Sequence, residues 1–225
     1  MRLIDPIKKQ VLMRTTRLRQ TFGEWQDSKE GVAAIEFAFV APAMLFMYFG
    51  LLEISMVVNA DRKVSHATNV AGDLVTQSTT ISQADMEDIM EATVAVMGVT
   101  PSTAAAVTIE ISSYEMLDDG SNTRQRVGYA IAGNPISKGG PATFDPAAIG
   151  DRLISINSGA VVARANYVHT PITTKFVKTM TLHETFMLKP RASQTVVFEE
   201  GASNHNTFNC AIQSDLTVSC TASTT

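Results

Sequence analysis

The sequence predicts an α+β protein: one N-terminal transmembrane helix continues into an amphipathic stem, followed by a small exported domain with a helix and an antiparallel sheet. Three observations lead to this prediction. Residues 32–58 form one long apolar run. Apolar residues then recur at helical spacing as far as residue 97, and beyond it they alternate with polar residues, as in half-buried strands. A chain of 225 residues suffices for one ordinary domain and an appendage.

Residues 1–31 are predicted to be a basic cytoplasmic leader. Their basic residues are Arg2, Lys8, Lys9, Arg14, Arg17, Arg19 and Lys29. Because Lys and Arg beside a span keep that flank in the cytoplasm, the larger C-terminal part is expected outside. The leader forms either a basic amphipathic helix on the membrane surface or a solvated segment that only sets topology. The formal net charge of the whole chain is −4, which disfavours a nucleic-acid partner.

The apolar run over residues 32–58 is predicted to span a membrane. As a helix it would be about 40 Å long, against a hydrocarbon core of roughly 30 Å. Its charged residues are Glu36 and Glu53, and Pro42 is tolerated in a membrane span as a kink. Signal-peptidase cleavage at the Ala-Pro-Ala of residues 41–43 is an alternative, but further apolar residues follow at once, which is unusual for a removed signal.

The head of the span combines a small residue with a carboxylate. Gly31 separates the polar leader from the apolar run, and Glu36 is the fifth residue after it. Cleavage between Gly31 and Val32 would free an α-amino group one helical turn from Glu36. An unpaired carboxylate in a membrane is costly, so this amine, of the same or a neighbouring chain, would be its partner. The alternative is an interfacial carboxylate that the helix dipole favours without any cleavage.

This pattern resembles the processing site of type IV-like prepilins. Its continuation resembles the TadE/TadG-like minor pilins, or pseudopilins, of the tight-adherence (Flp) pilus system. The elements that carry the resemblance are Glu36-Phe37, Pro42 and the Gly-x-x-Glu of Gly50 to Glu53. The similarity covers residues 28–78 well. It covers residues 158–192 loosely, through one strand that runs into a proline and another that ends on Pro-Arg.

The resemblance implies a minor pilin that acts in assembly of a tight-adherence pilus by helix packing and protein–protein contact. Gly31 and Val32 would be the processing site of a prepilin peptidase, and Glu36 with Phe37 would set register. The implied partners are other pilins and pilus-assembly membrane proteins. The implied location is a bacterial inner membrane with a periplasmic domain, or the extracellular pilus itself. The alternative is an uncleaved, membrane-anchored periplasmic scaffold or binding protein of the same apparatus.

Residues 59–200 are predicted to form the exported α+β domain. The stem continues to about residue 78, and a second helix begins with a cap at Ser82 and Asp85 and ends near Met97. The acids of this helix are expected to form its solvated face. Alternating apolar residues predict four strands and a short edge strand. These segments are residues 107–111, 124–131, 161–167, 181–188 and 195–198.

Residues 201–225 are predicted to be a Ser/Thr-rich tail without periodicity. Cys210 and Cys220 within it are expected to form a disulfide in an oxidising compartment, the alternative being two free thiols. We predict no catalytic, metal or cofactor site. The four histidines lack zinc-binding spacing, and neither a nucleophile elbow nor a phosphate-binding loop is present in the sequence. A membrane-anchored hydrolase is therefore the least favoured function.

Overall fold

The structure is a computed structural model that describes residues 30–118, 123–133, 144–173, 177–199 and 206–223. It divides into two compact units, residues 1–52 and 53–225. Most of the predicted leader lies outside the described residues, which begin at Glu30. The first unit is therefore described by helix alone, and the second contains every strand that the structure describes.

Helix α1 extends over Glu30–Thr76. It includes Pro42 without ending there, because a proline removes one helical hydrogen bond but leaves the flanking turns intact. The predicted stem is confirmed as its C-terminal part, where four small apolar residues at helical spacing are fully or almost fully buried. These residues are Val64, Ala67, Ala71 and Val75. Gly72 lies against the sheet, where a Cβ atom would clash with Leu188 Cδ1.

The remaining elements follow in α+β order, which confirms the predicted fold class. The second helix is α2 (Gln83–Met97), and single 3-10 turns occupy Ala104–Ala106 and Pro146–Ala148. The strands are β1 (Thr80–Ile81), β2 (Val107–Met116), β3 (Arg124–Gly133), β4 (Gly159–His169), β5 (Met180–Leu188), β6 (Val197–Phe198), β7 (Thr207–Ile212) and β8 (Val218–Ser223).

Helix α2 begins with the predicted capping box. The Ser82 hydroxyl accepts a hydrogen bond from the Asp85 N–H at 3.2 Å, and the Asp85 carboxylate accepts one from the Ser82 N–H at 3.0 Å. The Ser82 hydroxyl also donates a hydrogen bond to the Asp85 carboxylate at 2.7 Å. This bond and the one from the Ser82 N–H hold the pKa of Asp85 below its ordinary value. Gly98 ends the helix in the left-handed region, with φ of 68°. The sequence therefore fixes both ends of α2 locally.

The main sheet has six strands in the order β5-β4-β2-β3-β7-β8. Its first four strands are the four predicted ones, and each pairs antiparallel with its neighbour. The sheet as a whole is mixed, however, because β7 pairs with β3 in parallel before β8 returns antiparallel. The predicted edge strand forms instead a separate two-residue parallel pair between β6 and β1.

The domain core lies between the two helices and one face of this sheet. It brings together stem residues such as Val64 and Val75, Met90 of α2, and Ile109 of β2. A smaller cluster on the other side surrounds Tyr114 and contains residues of the segment that precedes β4, including Ile149 and Ile154. The two clusters cover both faces of the central strands, which explains why nearly all of β2 is buried.

The structure corrects the prediction for residues 201–225. Residues 207–223 are not a tail outside the domain, since β7 and β8 belong to the main sheet and Phe208 is fully buried. Their apolar residues alternate with polar ones, as a half-buried strand requires. Asn, Ser and Thr at the outward positions gave the segment the composition of a disordered tail and masked this alternation.

Candidate assembly surface on the N-terminal helix

We call residues 32–58 of α1 the apolar segment. Nearly all of its large apolar side chains are exposed, and Phe37 and Phe39 reach 71% and 78% exposure. Such a surface is strongly unfavourable in water, so it requires lipid or another apolar partner. Among the residues that the structure describes, α1 is the one helix long and apolar enough to cross a membrane.

The predicted processing site lies at the start of the described part of α1, where Gly31 and Val32 are both helical. Among the described residues, no atom beyond the flanking residues and the adjacent helix backbone lies within 4 Å of the position that a Cβ on Gly31 would take, and Val32 is 55% exposed.

Glu36 and Phe37 lie one turn further along and are both exposed. Val32 and Glu36 are four residues apart and therefore share one face of the helix. Within the described residues, no hydrogen bond or ion pair engages the Glu36 carboxylate. The Glu36 carboxylate thus lies one turn from the predicted cleavage position and has no competing partner in the described part of the fold.

Glu53 behaves differently from the other predicted residues. It is only 4% exposed. Its Oε1 accepts hydrogen bonds from the Thr173 N–H at 2.7 Å and from the Thr173 hydroxyl at 2.6 Å. Its Oε2 is buried without a hydrogen-bond partner among the described residues. Pro42 and Gly50 lie in the part of α1 that precedes Glu53. Of the predicted residues on α1, Glu53 is therefore the one that is buried against the domain. The others lie on the uncovered part of the helix: Gly31, Val32, Glu36, Phe37, Pro42 and Gly50.

Thr173 is a partner that sequence reasoning missed. It lies in the connection between β4 and β5, 120 positions from Glu53 in the sequence. A threonine in a Thr-rich connection carries no local signal of such a contact. The one available signal was Glu53 itself, because an acid at the end of an apolar run needs a partner.

The acids of α2 do not all form the solvated face that was expected. Glu91 Oε1 accepts a hydrogen bond from the Val218 N–H at 2.9 Å, and Glu87 Oε1 accepts one from the Cys220 N–H at 2.7 Å. Both donors belong to β8, the last strand of the sheet. The two carboxylates therefore satisfy backbone groups that an edge strand leaves unpaired.

A disulfide joins Cys210 and Cys220, which lie directly opposite each other in β7 and β8. It is part of the sheet and links the two strands of the C-terminal hairpin at their centre. The covalent link lowers the conformational entropy of the unfolded hairpin and so favours the folded one. This matters here because both strands are short.

A buried ion pair connects two central strands of the sheet. Arg164 Nη1 of β4 lies 3.0 Å from Glu110 Oε2 of β2, and both side chains are nearly inaccessible. Burial raises the pKa of the Glu110 carboxyl, and the positive charge of Arg164 opposes that shift. Burial also raises the pKa of the nearby Tyr114 and Tyr129 hydroxyls. The pair is enclosed in the sheet, and in the described part of the chain no group of three potential metal ligands occurs.

These features define a class of protein: a single helix with the length and apolar surface of a membrane anchor, joined to an α+β domain. Residues 31–73 match the family model described as TadE-like protein. The predicted resemblance to the TadE-like family is thereby confirmed for residues 31–73, which extend along α1 from the predicted processing site to the buried stem. No curated protein and no solved structure shows significant similarity to the chain.

Proposed function

We propose that the chain is a minor pilin or pseudopilin that takes part in assembly of a tight-adherence (Flp-type IVb) pilus. One observation carries this proposal: the apolar segment exposes large side chains all around the helix, and its most apolar eighteen residues have no cover within the described structure. A helix that only anchors its domain needs lipid alone. A helix that also enters an assembly must present its surface to other helices.

The composition of the apolar segment supports packing between helices. Its small residues are Ala33, Ala34, Ala38, Ala41, Ala43 and Gly50. Small residues let helix backbones approach closely, and this approach drives helix association where lipid is as apolar as the side chains. The bulky neighbours Phe37 and Phe39 would then fill grooves on adjacent helices.

Glu36 would fix the register between neighbouring chains. A carboxylate in an apolar assembly costs several kcal/mol unless it is paired. Processing after Gly31 would supply the α-amino group of Val32 as that partner, from the same chain or from its neighbour. Only a stagger that brings the two charges together avoids the penalty, so the pair selects one arrangement of helices.

The proposed topology places the basic leader in the cytoplasm and the domain in the periplasm of a bacterial inner membrane. A prepilin peptidase would act on the cytoplasmic side, and the partners would be other pilins and pilus-assembly membrane proteins. The disulfide between Cys210 and Cys220 supports an oxidising location for the domain.

The first test is the N-terminus of the chain, measured by intact mass and N-terminal sequencing in cells with and without their prepilin peptidase. We expect a chain that begins at Val32 only where the peptidase is present. A chain that keeps the Gly31–Val32 bond in both strains would contradict processing and favour the uncleaved periplasmic scaffold.

The second test separates assembly from anchoring. We expect Glu36→Ala to abolish recovery of the chain in sheared fibre fractions while its amount in the membrane stays unchanged. Asp61→Asn is the matched control, because Asp61 is an exposed acid on the same helix but lies beyond the apolar segment. Normal fibre recovery for Glu36→Ala, or absence of the unchanged chain from fibres, would contradict the pilin role.

A further inference from the structure

We propose that residues 168–173 at the end of β4, together with residues 177–180 at the start of β5, form a second membrane-contacting element, which enters the lipid interface and inserts Ile172. We call residues 168–173 and 177–180 the hairpin tip. The inference requires that the apolar segment spans a membrane, but it does not depend on assembly into a pilus.

The first argument concerns depth along α1. Exposed apolar side chains continue through Ile54, Met56 and Val58, and the exposed charges of residues 61–63 follow. The boundary between the apolar and aqueous environments therefore lies just after Val58. Glu53 precedes Val58 by five residues, which corresponds to about 7 Å along the helix axis at about 1.5 Å per residue.

The hairpin tip reaches this depth because Thr173 is hydrogen-bonded to Glu53 through both its N–H and its hydroxyl. Its backbone is thus tied to a residue that lies on the apolar side of the boundary. The headgroup region adds only about 5–8 Å on each side of the hydrocarbon core. The bonded part of the tip consequently lies within the interface or at the edge of the hydrocarbon.

The second argument concerns polar groups at that depth. A carboxylate near hydrocarbon needs hydrogen-bond donors, and non-helical backbone near hydrocarbon needs partners for its N–H groups. The contact between Glu53 and Thr173 serves both needs, since the Thr173 N–H finds an acceptor and Glu53 Oε1 receives two donors, while Oε2 has no partner among the described residues. This reciprocity explains why an acid at the end of the apolar segment is 4% exposed, whereas its neighbour Ile54 is 56% exposed.

The third argument is the exposed surface of the hairpin tip. Ile172 is 75% exposed, and Val168 and Met180 flank it at 38% and 41%. Lys178 is also exposed and is suited to anionic headgroups at the interface. Apolar side chains beside a cation are typical of segments that lie in a lipid interface. The chemistry therefore fits a lipid surface that contains anionic phospholipid.

The test uses the full-length chain with its single tryptophan removed as Trp25→Phe, reconstituted in phosphatidylcholine–phosphatidylglycerol vesicles that contain brominated lipid. Ile172→Trp then reports on the hairpin tip. Ile156→Trp is the matched control, because Ile156 is also an exposed isoleucine but precedes β4 at its other end. We expect a blue-shifted emission and loss of most fluorescence for the tryptophan at 172. The tryptophan at 156 should lose little.

Phe46→Trp in the same background verifies that the apolar segment is inserted. If that tryptophan is quenched while the one at 172 is not, the proposal is wrong. Equal quenching at 172 and 156 would also contradict it. Protection of 172 from aqueous iodide without quenching by lipid would indicate a protein partner and would overturn the proposal too. In the Ile172→Trp background, Glu53→Ala should reduce lipid quenching, whereas Glu53→Gln keeps an acceptor oxygen and should preserve it.

Discussion

The two halves of α1 have opposite relations to the rest of the chain. Residues 31–52 are apolar on all sides and almost wholly exposed. Residues 53–76 carry one buried apolar stripe, including Val64 and Val75, and charges such as Asp61 and Lys63 are exposed beside it. The second half follows the pattern of a helix made for its own domain. The exposed apolar surface of residues 31–52 therefore belongs in lipid or against other apolar helices, because no other part of the described fold packs against it.

The two acids of the helix repeat this contrast. Glu36 is exposed and has no partner among the described residues, whereas Glu53 is buried and accepts two hydrogen bonds from Thr173. The Glu36 carboxylate is therefore free to bind another molecule, whereas the Glu53 carboxylate is already bound within its own domain. Substitution of Glu36 should affect assembly, and substitution of Glu53 should affect the stability of the domain.

The largest effect is expected from the buried stripe. Replacing Val64 and Val75 together by alanine removes buried methyl groups and leaves cavities, at a cost of about 2 kcal/mol for each site. The free energy of unfolding of the domain should therefore fall by about 4 kcal/mol. Urea unfolding of the full-length chain in detergent measures it, with Val40→Ala in the exposed half as the control. A similar loss in the control would break the comparison.

The next effect concerns the C-terminal hairpin. Cys210→Ser combined with Cys220→Ser removes a cross-link between residues ten positions apart, which is expected to cost about 2.5 kcal/mol of unfolding free energy. Thermal unfolding with and without reductant measures the same loss in the unchanged chain. Membrane insertion of residues 31–52 should not change, and a chain that fails to insert would show that the two units are coupled.

A smaller effect is expected at Glu53. Glu53→Ala leaves the Thr173 N–H without its acceptor, which costs about 1–3 kcal/mol where the group is buried. Glu53→Gln keeps that acceptor and should stay within about 1 kcal/mol of the unchanged chain. Urea unfolding in detergent compares them. Glu36→Ala should leave the domain within about 0.5 kcal/mol, as is usual for an exposed side chain, and a larger loss there would contradict the division of roles.

The smallest effect concerns α2, which shares the core with the buried half of α1. Ser82→Ala removes the N-cap and should cost about 1 kcal/mol. Because the folded-state pKa of Asp85 lies below its ordinary 3.8, its contribution is complete above the unfolded pKa and is lost as pH falls through the folded one. Thermal unfolding should show the variant and the unchanged chain converging in acid. A difference that is constant with pH would exclude a role for the Asp85 charge.

Local patterns made much of this fold predictable. The long apolar run predicted the first half of α1, the spacing of Val64 to Val75 predicted the second, and the serine–aspartate pair at residues 82–85 marked the start of α2. Alternation predicted β2 to β5, because apolar residues recur at every second position over part of each strand. In the candidate site, the exposure of Glu36 and Phe37 likewise follows from their place in an apolar run without a polar face.

Contacts between distant segments were not predictable. The bond from Thr173 to Glu53 and those from β8 to Glu87 and Glu91 join residues more than a hundred positions apart, and no local spacing encodes them. The parallel pairing of β3 with β7 likewise depends on the topology of the whole sheet. In β7 and β8 the apolar positions are few, so composition concealed their alternation.

The parallel pairing of β3 with β7 also means that β3 is synthesised well before its partner strand. Residues 207–210 leave the ribosome roughly 75 positions after the end of β3, a delay of ~4–15 s at about 5–20 residues per second. During that interval β3 is an open edge on which a second nascent chain can add a strand. Chains truncated before residue 207 would keep this edge permanently, and they should aggregate even though most of the core residues are present.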